Sequence, residues 1–212
     1  MNQNVFDRSE HVYRNEAFVE LVKDAVRFFN GTPVHGLPLT QSFTGTGVYA
    51  IYYTGDFPPY AVYKKLNRLS YGFPIYVGKA VPKGWRQSRT SDSSENQSTE
   101  LFSRLRQHSN SIASVANLNT PDFSCRLMIF EDEGSDMIST IEATLIKLFK
   151  PLWNVHLDGF GNHDPGKGRY EQAKSDWDVV HSGRLFAEKC RGQANSMDSI
   201  LTRIKQAVKS IK

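Results

Sequence analysis

The chain has 212 residues, 39% of them apolar and 12% aromatic, enough for a single domain with a real hydrophobic core. With 26 Lys and Arg against 22 Asp and Glu, its formal charge of +4 permits a polyanionic partner without demanding one. No apolar run of 18 residues exists and Met1 to Glu16 is polar, which argues against membrane spanning and secretion; Cys125 and Cys190 match no metal-ligand spacing or disulfide framework and read as reduced, buried thiols of a cytoplasmic protein.

In chain order, Asn15 to Asn30 sets Phe18, Leu21, Val22, Ala25, Phe28 and Phe29 near helical spacing and stops at Gly31-Thr32-Pro33, which predicts a helix packed on the core. Gly47 to Tyr53 is β-branched and aromatic and predicts a strand; Phe73 to Val77, before Gly78, predicts a second, joined to it by an elaborated hairpin. Residues 80 to 99 are rich in Ser, Gln, Arg and Gly and read as a long loop. Thr99 to about Ala116 predicts a helix with a break near Ser109-Asn110-Ser111, Phe123 to Phe130 a strand, and Met137 to Phe149 a helix stopped by Pro151. Gly159 to Gly168 is a glycine-rich loop, and Ser196 to Ile211 carries an apolar helical stripe. The expected fold class is therefore α+β, a small central antiparallel-type sheet flanked by helices.

The chemistry-bearing residues lie along this order. Tyr49 and Tyr76 fall on the two expected neighbouring strands, where phenols on one face converge; such a pair on a hairpin is more often packing than catalysis. Gly78 allows close approach of a backbone or a phosphate. Arg104 and His108 are i and i+4 on one side of a helix, a fork for phosphate beside a proton donor or acceptor, with an exposed polar face as the plainer reading. Glu142 interrupts the apolar face formed by Ile138, Leu145, Ile146 and Phe149, and a carboxylate there must be paired, protonated or bound to a cation. An ion pair with Arg104 and a Mg²⁺ site are the two readings. Asn154, just past Pro151, is placed to hydrogen-bond back into the same region. Residues 61–89 hold Lys64, Lys65, Arg68, Lys79, Lys83, Arg86 and Arg89 against no acid, interleaved with aromatics, as expected of a phosphate-binding face.

Gly47-Val48-Tyr49, Tyr76-Val77-Gly78, Arg104 with His108, Glu142 and Pro151 to Asn154, in that order over about residues 45–155, resemble the GIY-YIG nuclease domain, and more narrowly its restriction-endonuclease branch that cuts the palindrome CCGCGG. Val stands for Ile in both tripeptides, His108 stands where many members carry Tyr, and 26 residues (50 to 75) separate the two tyrosines, more than is usual. The resemblance implies a single domain over 1–212 with a catalytic core at 45–155 and extensions at 1–44 and 156–212 for DNA binding or dimerisation. It implies metal-dependent hydrolysis of a DNA phosphodiester. Tyr49 would accept the proton of the attacking water, its phenol brought down by the metal, Lys79 and Arg104. Tyr76 would bond the nucleophile or a phosphate oxygen, Arg104 would stabilise the scissile phosphate, and His108 would orient Tyr49 or relay its proton. Glu142 would hold one Mg²⁺, with Mn²⁺ able to substitute, and Asn154 would fix the site from its edge. A palindrome implies a homodimer on double-stranded DNA. Lys83, Arg86, Arg89, Lys167 and Arg169 are the candidate DNA contacts, most of them to phosphates.

The alternatives are a repair or mobile-element nuclease with the same domain, and a DNA-binding module that has lost the chemistry. Asn162-His163-Asp164 with Gly166-Lys167-Gly168 reads weakly as a nucleotide-binding loop, matching neither a Walker loop nor a dinucleotide fingerprint. The C-terminal stripe also fits a membrane-surface helix, although docking on the core or on a second copy is simpler.

Overall fold

A computed structural model describes residues 6–82 and 98–211. Its centre is a four-stranded antiparallel sheet of order β1-β4-β2-β3, made of β1 (His35–Gly36), β2 (Thr46–Tyr53), β3 (Tyr76–Ala80) and β4 (Phe123–Phe130). Every residue of β2 is buried, because this central strand is covered on both faces and reads as a continuous apolar run rather than an alternating one.

One face carries Val48, Ala50, Tyr52 and Val77 and is covered by Ala25 and Phe29 of α1 (Glu16–Gly31) together with Ile138, Ile141 and Leu145. The opposite face carries Tyr49, Ile51 and Tyr53. It is covered by the helix bearing Leu101, Leu105 and Ile112, by Trp153 and Trp177, and by Ile200 and Ile204 of the C-terminal helix. The layers are helix, sheet, helix. The remaining helices are α2 (Ala61–Asn67), α3 (Glu100–Ala113), α4 (Ile138–Phe149), α5 (Leu152–Val155), α6 (Asp176–Val180) and α7 (Met197–Lys209). The mixed α/β architecture and antiparallel sheet agree with the expected fold class.

Local chemistry explains the boundaries. Asn15 caps α1, its Oδ1 accepting from the Phe18 N–H at 3.1 Å, and Ser175 and Ser196 cap α6 and α7 in the same way. α4 ends at Lys150, whose left-handed φ of 46° turns the chain into Pro151. α3 runs unbroken through Ser109, whose hydroxyl bonds back to the Leu105 carbonyl at 3.1 Å instead of ending the helix.

Three expectations are corrected. β3 begins at Tyr76 rather than Phe73 and runs through Gly78, because Phe73 belongs to a turn fastened by Asn67, which bonds both its N–H and its carbonyl. The basic stretch 61–89 is not one phosphate-binding face where it is described: Tyr63 is buried, Lys64 pairs with Asp56, and Lys79 pairs with Glu142. Lys83, Arg86 and Arg89 lie outside the described residues, as does most of the expected loop at 80–99. Of the two free cysteines only Cys125 is buried; Cys190 is partly exposed. Among the described residues no helix is long and apolar enough to cross a membrane.

Candidate functional site

β3 is an edge strand and turns alternate residues to the two faces of the sheet. On one face Tyr49 pairs across the ladder with Gly78 and Ile51 with Tyr76, so the tyrosines are diagonal neighbours with ring centroids 6.2 Å apart. A Cβ at Gly78 would stand 2.3 Å from the Tyr49 hydroxyl oxygen. The glycine expected to admit a phosphate therefore admits the phenol of Tyr49.

α3 lowers His108 onto this face. Its Nε2 lies 2.6 Å from the Tyr49 hydroxyl, and its ring stacks on Phe160 at 4.5 Å with 17° between planes. The imidazole is buried, contrary to the exposed-face reading, because Phe160 from the C-terminal segment covers it. Burial first, then the charges of Arg104, His163 and Arg184, bring the His108 pKa down to about 3, so the ring is neutral at neutral pH. The Tyr49 phenol goes the other way: burial raises its pKa well above the ordinary value, Tyr76 and Glu142 add to this, and the opposing pull of Arg104 is overruled. Arg104 thus pulls the Tyr49 phenol in the expected direction, but burial outweighs it. Tyr76 is also raised, by burial above all.

The other face of β3 presents Lys79, whose Nζ is 2.8 Å from Glu142 Oε2 and 3.1 Å from Ser139 Oγ. Glu142 is thus paired with Lys79 rather than with Arg104, which turns instead to His163 and Gln107. A cleft of about 320 Å³ opens here, lined by Lys79, Ala80, Val81, Glu100, Arg104, Gln107 and His163.

Asn154 works through the backbone. Its Oδ1 accepts from the Val77 N–H at 2.8 Å and its Nδ2 donates to the Val77 carbonyl at 2.8 Å, so the amide continues the sheet beyond its edge. Both ends bond the backbone of Val77, between Tyr76 and Gly78, so Asn154 fastens the edge strand that carries Tyr76.

Lys167 and Arg169 lie on an exposed 3-10 turn and take no part in these contacts among the described residues. Sequence reading missed Phe160, His163 and Arg184. Only the Asn162-His163-Asp164 stretch drew notice, and for a different chemistry. A larger polar cavity of about 540 Å³ lies between α5 and the 172–195 segment. Its Asp176 and Asp178 are already paired with Arg203 and Arg184.

Among the described residues no group of three or more His, Cys, Asp and Glu could hold a metal. Glu142, its side chain 19% exposed, is the residue that could serve as a single carboxylate ligand of the kind Mg²⁺ uses when water and phosphate complete the shell, in exchange for its contact with Lys79.

Tyr49, Tyr76 and His108 thus meet on one face of the antiparallel sheet, Arg104 and Lys79 line the cleft, and Glu142 lies against Lys79. A sequence model of the Eco29kI GIY-YIG domain matches residues 41–208, and the chain belongs to that family of restriction-endonuclease domains. Comparison with curated proteins finds no match.

Proposed function

We propose that the chain is a type II restriction endonuclease that cuts both strands of a palindromic DNA site by metal-dependent phosphodiester hydrolysis, with CCGCGG as the site. The observation that carries this reading is the 2.6 Å contact between Tyr49 and neutral His108, set beside Tyr76 and the Arg104 cleft in a chain of this family.

Tyr49 receives a proton from the attacking water while handing its own to His108 Nε2. The water O–H bond breaks as the new P–O bond forms, and the departing oxygen takes a proton from solvent. A phosphate seated against Arg104 cancels one of the charges that lower the His108 pKa, so substrate binding prepares the imidazole to receive the proton. Tyr76 bonds the nucleophile or a non-bridging oxygen, and the Arg104 fork stabilises charge on the phosphate. Glu142 would hold the divalent ion, Mg²⁺ with Mn²⁺ as a substitute, and the ion would supply neutralisation of the charge that develops on the phosphate.

A homodimer suits a palindrome, each subunit acting on one strand. Phe18, Val19, Leu21 and Phe28 of α1 are exposed, and this apolar surface supports the assignment of the N-terminal extension to contact with a second copy.

The test is incubation of the purified protein with plasmid and phage DNA, in Mg²⁺ and in EDTA. Discrete Mg²⁺-dependent fragments with ends at CCGCGG are expected. Smearing would favour a repair or mobile-element nuclease, and retarded but uncut DNA a silent binding module.

A further inference from the structure

We propose that His163 is a positioning residue of the nuclease reaction, holding the Arg104 guanidinium over the cleft through a hydrogen bond accepted at its Nε2. This rests on the reading of that cleft as the nuclease site.

Arg104 Nη1 donates to His163 Nε2, and the same guanidinium makes only a long contact, 3.4 Å, to Gln107 Oε1. A guanidinium on a long side chain loses several rotors when it is fixed, and a hydrogen bond from a neighbouring element supplies the orientation that its own helix does not. The imidazole can accept only while neutral. His163 is exposed at the surface, and the partial desolvation of its ring, with the charges of Arg104 and Arg184, shifts its pKa below the ordinary histidine value. The other charged groups around it are Lys79 on β3 and Glu100 on α3.

The loop carrying His163 is built to hold it there. Arg184, 4% exposed, donates to the carbonyls of Gly159 (2.8 Å), Phe160 (3.0 Å) and Asn162 (3.2 Å). Its other donors meet Asp178 at 2.6 and 2.8 Å, and its guanidinium lies over the rings of Trp177 and Phe186. A buried, fully engaged arginine thus clamps three carbonyls of a loop outside any helix or strand. The held carbonyls bracket the residues that reach the site: Phe160 is itself held, Gly161 lies between two held residues, and His163 follows directly on Asn162. Phe160 covers His108 and Tyr76, and Gly161 gives room to the Tyr76 hydroxyl, 2.7 Å from where a Cβ would stand. His163 then meets Arg104. A loop needed only for folding has no reason to end on an active-site arginine.

Two measurements test this. The first follows the His163 ring by NMR titration in the wild type and in Arg104→Ala, and needs no substrate. The titration midpoint is expected below the ordinary histidine value and to rise in the variant; an unchanged midpoint would remove the contact. The second is single-turnover cutting of phage DNA in Mg²⁺ with gel-shift affinities in parallel. His163→Ala should cut about 10- to 100-fold more slowly, with affinity within about threefold of wild type. His163→Gln, which keeps an acceptor, should recover most of the rate. In an Arg104→Lys background the same His163→Ala change should cost less than about threefold, because its effect runs through the guanidinium. Wild-type rates in His163→Ala, a loss of binding that matches the loss of cutting, or an undiminished loss on Arg104→Lys would each overturn the role. If the wild type cuts no DNA, the nuclease reading itself falls and His163 with it, while the titration still reports whether the contact exists.

Discussion

Gly78 stands directly across the β2–β3 ladder from Tyr49, and the Tyr49 phenol fills the space that any side chain at Gly78 would need. The two signature tripeptides are therefore one steric unit. Gly78→Ala should push the phenol off His108, cost about 1–3 kcal/mol of stability through overpacking, and slow cleavage at least about 100-fold. Thermal melts and single-turnover rates on the same preparation check this.

Glu142→Ala should abolish cutting while leaving specific DNA binding, since Arg104 and the rest of the protein surface remain. Gel-shift and cleavage assays in Mg²⁺ separate the two effects. Retained cutting would remove Glu142 from the metal role.

Asn154→Leu removes both bonds to the Val77 peptide and leaves an N–H and a carbonyl of the edge strand without that partner. A loss of about 1–3 kcal/mol is expected, with a fall in activity as Tyr76 loses its register. Urea denaturation measures the first and cleavage rates the second.

Acid should destabilise the fold through two buried histidines. His108 and His181 are both brought down to about 3, by burial first and by charges that include Arg184. An unfolded histidine titrates near about 6.5, so below that pH the unfolded chain binds more protons than the folded one. Their stability contribution is full above about 6.5 and falls as the pH drops towards 3, by up to about 1.4 kcal/mol per pH unit for each ring. His181 also bonds Tyr60 and Asn117, at 2.7 and 2.8 Å. His181→Gln should therefore be less stable at pH 7 and show a shallower acid slope by about one proton, read from urea denaturation between pH 7 and pH 5.

The elements that sequence reading placed well are those whose signals are local. β4 is an uninterrupted apolar and β-branched run, α4 stops where Pro151 must stop it, and α1 carries its own Asn15 cap. β3 was displaced because Gly78 reads as a strand end, and only the position of Tyr49 across the ladder explains a glycine inside the strand. The short α6 has too few residues for a periodic signal. Glu142 was recognisable as an anomaly on an apolar face, but its partner lies on β3, and nothing local distinguishes Lys79 from Arg104 as that partner. Phe160, His163 and Arg184 reach the site from dozens of residues downstream, so their roles exist only in three dimensions.

The most direct test compares wild type with Tyr49→Phe, which removes one oxygen and keeps the buried ring. Both proteins are incubated with phage DNA and Mg²⁺ after their melting temperatures and DNA affinities have been matched. The wild type should yield discrete fragments and Tyr49→Phe essentially none. Cutting by Tyr49→Phe at the wild-type rate would contradict a proton path through Tyr49 and His108.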